Sequence, residues 1–342
     1  MCRKQSIFAV LLGLAVLGAP GLSVAAGEVN IYSARIEALI KPLLDRFSEE
    51  TGIQVNLVAG RADELLRRLQ SEGRNSPADI LLTTDAGRLH RAKVAGVIQP
   101  FSSELLEQQV PAQYRDPDKH WYGLSVRVRP IMYVKGRVNP ADLSTYEDLA
   151  DPRWRQQICI RSSNNIYNQS MVAAMIATQG EEATEAWARG LMRNLARPPR
   201  GGDRDQIRAA AAGQCSIAIA NTYYLAGMLL SNDPAEREAA ERIGVFWPNQ
   251  EDRGAHVNVS GVALTQSARN KDNAIRLIEF LVSDEAQQWY AEVNGEYPVR
   301  EDIAIGAILE GWGSFKADEL DMGVLGELNP QALRLMDRVR WQ

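Results

Sequence analysis

Histidine and cysteine are scarce in this 342-residue chain, at three residues each. The histidines (His90, His120 and His256) are scattered, and no HExxH pattern occurs among them. GxSxG, P-loop and GxGxxG patterns are missing as well, so an exported enzyme has no motif to support it. Beyond the N-terminus there is no second long apolar run, which leaves the body of the chain without a candidate membrane span. A basic excess is also lacking: the formal net charge is −5, a balance that disfavours nucleic acid as a partner. Internal repeats, low-complexity tracts and Pro- or Gly-rich linkers are absent too, so any two lobes should be joined by strands and not by a loose tether.

The first 26 residues carry the one strong targeting signal. Arg3 and Lys4 precede an apolar run from Ile7 to Leu17, and small residues follow through Ala25 and Ala26. That order predicts a signal peptide cleaved near Ala25 or Ala26 and a mature protein in the periplasm. Arg3 and Lys4 leave with it and no acidic residue does, so the net charge falls from −5 to −7. Cys2 lies away from the cleavage site and gives no support for a lipid anchor. The remaining Cys159 and Cys215 sit in short strand-like runs, QICI and CSIAIA, and an oxidising compartment permits them to pair. Two buried free thiols are the alternative.

More than 300 residues with 45% hydrophobic content bury a full core and divide into two domains. Short β-rich runs alternate with amphipathic stretches, which is an α/β pattern. EVNIYS, IQVNLVA and ADILLTT read as strands, with helices over 37–51 and 62–72 between them, so this region predicts a parallel sheet. A helix over 87–95 follows, ended by Gly96, and VRVRPIMYVK reads as one strand leading out of the first lobe. The second set comprises QICIRS, helices over 167–178 and 182–194, and CSIAIANTYY. HVNVSGVALT is a late strand, followed by a helix over 270–282.

Three places carry candidate chemistry. Tyr223 and Tyr224 close the strand CSIAIAN where a β-to-α junction follows, and ligands of open α/β sheets bind at such strand ends. Successive strand residues face opposite sides, so both phenols reach one point only if the backbone leaves the pleat. Ordinary packing at a sheet edge would produce the same pair. Tyr167 follows the polar segment RSSNN, which is equally a helix cap. Arg35, Arg127 and Arg129 stand near strand ends, where two converging guanidiniums would make an anion site and a single one would be a solvated face.

With these residues in view, the sequence resembles the periplasmic ferric-binding proteins, the bacterial transferrin-like branch of the transporter solute-binding proteins. The likeness runs from IYSAR through PADILLTTDAGRL, YGLSVRVRPIMYVK, ICIRSSNNIYNQS and IANTYYLAGML to HVNVSGVALT and EYPV. It implies a two-lobed periplasmic binding protein fold of type II with a hinged ligand cleft. The N-terminal lobe would hold residues 27–127 plus about 254–304, and the C-terminal lobe 128–253 plus about 305–342. It implies Fe(III) held by Tyr167, Tyr223 and Tyr224, a synergistic anion such as carbonate held by Arg35 and Arg127, and delivery by a monomer to an ABC permease in the inner membrane. Phenolate is a hard oxygen donor suited to a hard trivalent cation, whose charge drives off protons otherwise kept to about pH 10.

One departure stands out. Several relatives place histidine, or histidine then tyrosine, where this chain has Ile36 and Glu37. The expected site is therefore an all-oxygen one dominated by the second lobe. Glu37 is a further candidate ligand, although a carboxylate opening a helix has an ordinary electrostatic reason to be there. The rival reading within the fold is a binder of an organic solute such as a polyamine, sugar or thiamine.

Overall fold

The structure, a computed structural model, describes residues 27–342; the expected signal peptide and Cys2 lie outside the described residues. Eleven strands follow in chain order: β1 (Glu28–Ser33), β2 (Gln54–Ala59), β3 (Ile80–Thr84), β4 (Ile98–Gln99), β5 (Tyr122–Val128), β6 (Ile131–Val134), β7 (Ile158–Cys159), β8 (Ile217–Ile219), β9 (Ile243–Phe246), β10 (Val257–Thr265) and β11 (Tyr297–Pro298). They form two sheets. The larger runs β11-β5-β10-β3-β1-β2, with β4 against β10, and the smaller runs β7-β8-β6-β9.

The predicted parallel arrangement holds for β1, β2 and β3. Then β10 returns from far along the chain and inserts antiparallel between β3 and β5, and β4 also pairs with it antiparallel. The sheet is therefore mixed, and local sequence could not supply that long-range pairing. Two other elements differ from expectation because of proline. The helix expected from Glu37 breaks into a 3-10 turn, Glu37–Leu39, and a helix, Lys41–Thr51, with Pro42 in the first turn of the latter. The single strand expected in VRVRPIMYVK splits into β5 and β6 at Arg129 and Pro130, since proline cannot donate to a ladder. That split is where the chain passes from one sheet to the other, and β9 to β10 is the return.

Each sheet has its own hydrophobic core. One includes Ile31, Phe47, Leu82 and Val259, and the second is built on Ile158, Met171, Ile217 and Trp187. At fully buried positions such as these, roughly 1.5–3 kcal/mol per large aliphatic side chain favours the folded state. The C-terminal segment serves both. Met322 and Leu325 belong to the first core, whereas Leu335, Met336 and Trp341 belong to the second. Helix Met322–Glu327 packs against both helix Ala86–Val94 and helix Ile166–Gln179. Gly326 allows the first approach, because a Cβ there would lie 2.3 Å from that of His90.

Cys159 and Cys215 form a disulfide, with Cα atoms 6.0 Å apart. The parallel pairing of β7 and β8 sets Cys159 opposite Ala218, so Cys215 reaches it from the segment just ahead of β8 and outside the ladder.

Candidate functional site

The tyrosine pair is placed by a change of backbone, as an alternating strand would have separated it. β8 ends at Ile219, and Asn221 precedes a helix, Thr222–Leu229, that contains both tyrosines in its first turn, with the Asn221 backbone carbonyl accepting from the Tyr224 N–H at 3.2 Å. Successive helical residues are about 100° apart, not 180°, so both rings leave on the same side. Their centroids lie 4.2 Å apart. Asn221 is fixed by Arg129, whose Nη1 donates to its side-chain oxygen at 2.8 Å.

Tyr167 arrives from a second helix start. Asn165 caps helix Ile166–Gln179 by accepting from the backbone N–H of Asn168 at 3.2 Å, which puts Tyr167 in the first turn. The Tyr223 hydroxyl donates to the Tyr167 hydroxyl at 3.3 Å. From the first sheet, the Thr84 hydroxyl meets Tyr167 at 3.4 Å, and Arg88 Nη1 donates to Thr84 Oγ1 at 2.9 Å.

All three phenols line one cavity of about 500 Å³, together with Arg35, Arg127 and Glu296. Thr84 and Arg127 of the larger sheet face the helix starts and loop that follow β7 and β8 across it. Arg127, on β5, sets its guanidinium 5.2 Å from the Tyr223 ring centroid and 6.0 Å from that of Tyr167. Arg35 and Arg127 also converge on the buried carboxylate of Glu296, at 2.9 and 3.2 Å. Arg129, the third arginine weighed from sequence, is buried instead against Asp203, Asn221 and Asn168. Glu37 stays exposed and outside the cavity lining.

Charge makes the phenols unequal. Desolvation opposes ionisation of Tyr167, but the Arg127 guanidinium, the Thr84 and Tyr223 hydroxyls and Arg88 outweigh it and hold that phenol below its ordinary range. Tyr223 is raised by desolvation and then by the neighbouring phenols. Tyr224 is raised by desolvation, Tyr167 and Asp203. Glu296 is held below the usual carboxylate range, because Arg35 and Arg127 more than offset its burial. Of the three phenols, Tyr167 is therefore the one whose surroundings favour loss of its proton. Histidine contributes nothing to the lining, and no group of three or more His, Cys, Asp or Glu side chains suited to a metal occurs among the described residues.

Residues 75–310 match the family of bacterial extracellular solute-binding proteins. The chain belongs to that family. It is 49% identical over 315 residues to the iron uptake protein A1 of Synechocystis, a match spanning 92% of this chain and 88% of that one. Among solved structures, a Trichodesmium protein in complex with iron and citrate superposes with a TM-score of 0.90 at 49% identity, covering 92% of this chain and all of the other. The ferric binding protein of Campylobacter jejuni gives 0.88 at 38% identity, over 92% and 100% of the two chains. The solute-binding protein fold is therefore the two-lobed type II form, with Arg129–Pro130 and residues 247–256 as its two crossings. These relatives are named for binding and uptake, not for catalysis.

Glu296 is a lining residue that the sequence did not mark as part of the site. It fell inside the EYPV segment, but a lone glutamate carries no signal until both arginines are seen to meet it. Arg88, Arg161 and Thr84 were missed for the same reason.

Proposed function

We propose that this solute-binding protein captures Fe(III) in the interlobe cavity through the phenolates of Tyr167, Tyr223 and Tyr224. The observation that carries this reading is the convergence of three phenol groups from two helix starts beneath one buried guanidinium. Phenolate oxygens suit a hard trivalent ion, and three of them balance its formal charge. A polyamine would want acidic walls, whereas this lining is rich in arginine. The names of the Synechocystis, Trichodesmium and Campylobacter relatives support iron.

An accompanying anion such as carbonate fills the remaining coordination positions. Arg127 Nη1, buried and without a hydrogen-bond partner among the described residues, is the donor available to it. The lobes are residues 27–127 with about 254–304, and 128–253 with the chain end, helix Met322–Glu327 spanning both. Closure about the two crossings presents a joint surface to an ABC permease, and the protein acts as a periplasmic monomer after its leader is removed.

The test is direct. Protein exported and purified without chelators should be coloured by phenolate-to-iron charge transfer, or become so with ferric citrate. A protein that stays colourless sinks the iron reading.

The same chemistry fixes a pH dependence. Tyr223 and Tyr224 are held protonated above the ordinary phenol range, so each iron bound must release protons. Release on binding means affinity rises with pH and falls as pH falls. With two or more protons released, the apparent affinity should change by roughly a hundredfold or more per pH unit. Iron titrations at several pH values in fixed anion measure the slope, and a flat profile would contradict phenolate ligation.

A further inference from the structure

Glu296 occupies the floor of the cavity and is 1% exposed. Both its oxygens are engaged. Oε2 accepts from Arg35 Nη2 at 2.9 Å and from Ser125 Oγ at 2.5 Å; Oε1 accepts from Arg127 Nε at 3.3 Å and Nη2 at 3.2 Å. Ser260 ties the arginines together, accepting from Arg35 Nη1 at 2.7 Å and from Arg127 Nη2. Two guanidiniums therefore share a single carboxylate. After these bonds, Arg127 Nη1 and Arg35 Nε remain buried without partners among the described residues.

This arrangement has an electrostatic consequence for whatever anion joins the cation. A desolvated floor of two unopposed arginines would favour the most highly charged oxyanion of the right bite, because each extra unit of charge gains from both cations at short range. Glu296 cancels half of that charge without closing the last donors. Arg161 and Arg61, also in the lining, face acids of their own, Asp203 and Glu64. Arg88, also in the lining, is held on Thr84, and Glu296 is the carboxylate bonded to both Arg35 and Arg127, the second of which stands beside the Tyr167 and Tyr223 rings.

We propose that Glu296 is a specificity-determining residue for the accompanying anion, reducing the advantage that a doubly charged oxyanion such as carbonate holds over a singly charged one of the same bite. This inference rests on the phenolate–iron reading above and deepens it. A merely structural role, aligning the arginines, predicts instead that loss of Glu296 weakens all anions in parallel.

The experiment compares wild type with Glu296→Gln, which keeps the shape of the side chain and removes its charge. Iron is supplied as ferric nitrilotriacetate in bicarbonate-free buffer, and acetate or carbonate, which share one O–C–O bite and differ in charge, is added at fixed pH until the charge-transfer band reaches half its maximum. The ratio of the two half-effect concentrations is taken in each protein, so chelation in free solution cancels between them. Glu296→Gln should move the ratio toward carbonate by about tenfold or more. Arg35→Gln, which removes positive charge from the same place, should move it the other way, toward acetate. An unmoved ratio in a folded Glu296→Gln protein overturns the inference. If circular dichroism shows that variant unfolded, the Arg35→Gln/Glu296→Gln double variant decides: a ratio moved back from the Arg35→Gln value toward carbonate upholds the inference, and a ratio equal to that of Arg35→Gln overturns it. A wild type that never develops the band defeats the iron reading and this inference with it, whereas a coloured wild type with an unmoved variant defeats the inference alone.

Discussion

Tyr223→Phe and Tyr224→Phe should each lose ferric iron almost completely while remaining folded. Each change removes one oxygen and one negative charge but keeps the ring, so the tilted ring contact of the pair, 4.2 Å between centroids, is retained. Removal of residues that only orient a metal ligand typically costs 10- to 100-fold in affinity, so loss of a ligand itself should exceed about a hundredfold. Tyr167→Phe should match them, and it also strips the acceptor of the Tyr223 hydroxyl and the contact with Thr84. Arg127→Ala should behave differently. It leaves three phenols in place but removes the charge that lowers Tyr167, so iron should bind more weakly and depend more steeply on added bicarbonate. Iron titration at fixed anion concentration, with circular dichroism to confirm folding, separates the classes. Tyrosine variants that hold iron as tightly as wild type would show the site to be wrongly assigned.

How far the sequence revealed this arrangement differs from one element to the next. β1 and helix Ala62–Glu72 coincide with expectation, because hydrophobic period and local propensity agree over six and eleven residues. The mixed order of the large sheet was not legible, since it depends on β10 returning across more than 170 residues to lie against β3. At the site, Tyr223 and Tyr224 stood out because adjacent phenols at a strand end are unusual, yet their convergence rests on a helix start that strand propensity concealed. The run CSIAIANTYY reads as continuous β, and only Asn221 marks the change. Glu296 was invisible for a related reason. Its meaning lies in Arg35 and Arg127, which are 261 and 169 residues away in the chain.

Reduction of the disulfide should bring the second largest effect, on stability and not on ligand chemistry. Cys159 and Cys215 are both buried and close a loop across a sequence separation of 56. The loop-entropy estimate for that span is about 4 kcal/mol, with engineered bonds often giving less. The bond ties β7 to the residues ahead of β8, and β8 runs directly into the helix that carries Tyr223 and Tyr224. A Cys159→Ala/Cys215→Ala protein should therefore unfold at clearly lower denaturant concentration than wild type. Its smaller lobe should loosen first, because the bond lies wholly within the core that holds Ala210, Ala218 and Leu225. Under native conditions the phenols still meet, so the variant should take up iron at low temperature and release it on mild heating that leaves wild type loaded. Intact-mass analysis should find no alkylatable thiol in the native protein. Two free thiols, or a denaturation midpoint unmoved by the double substitution, would remove the disulfide from the account of what holds the tyrosine helix in place.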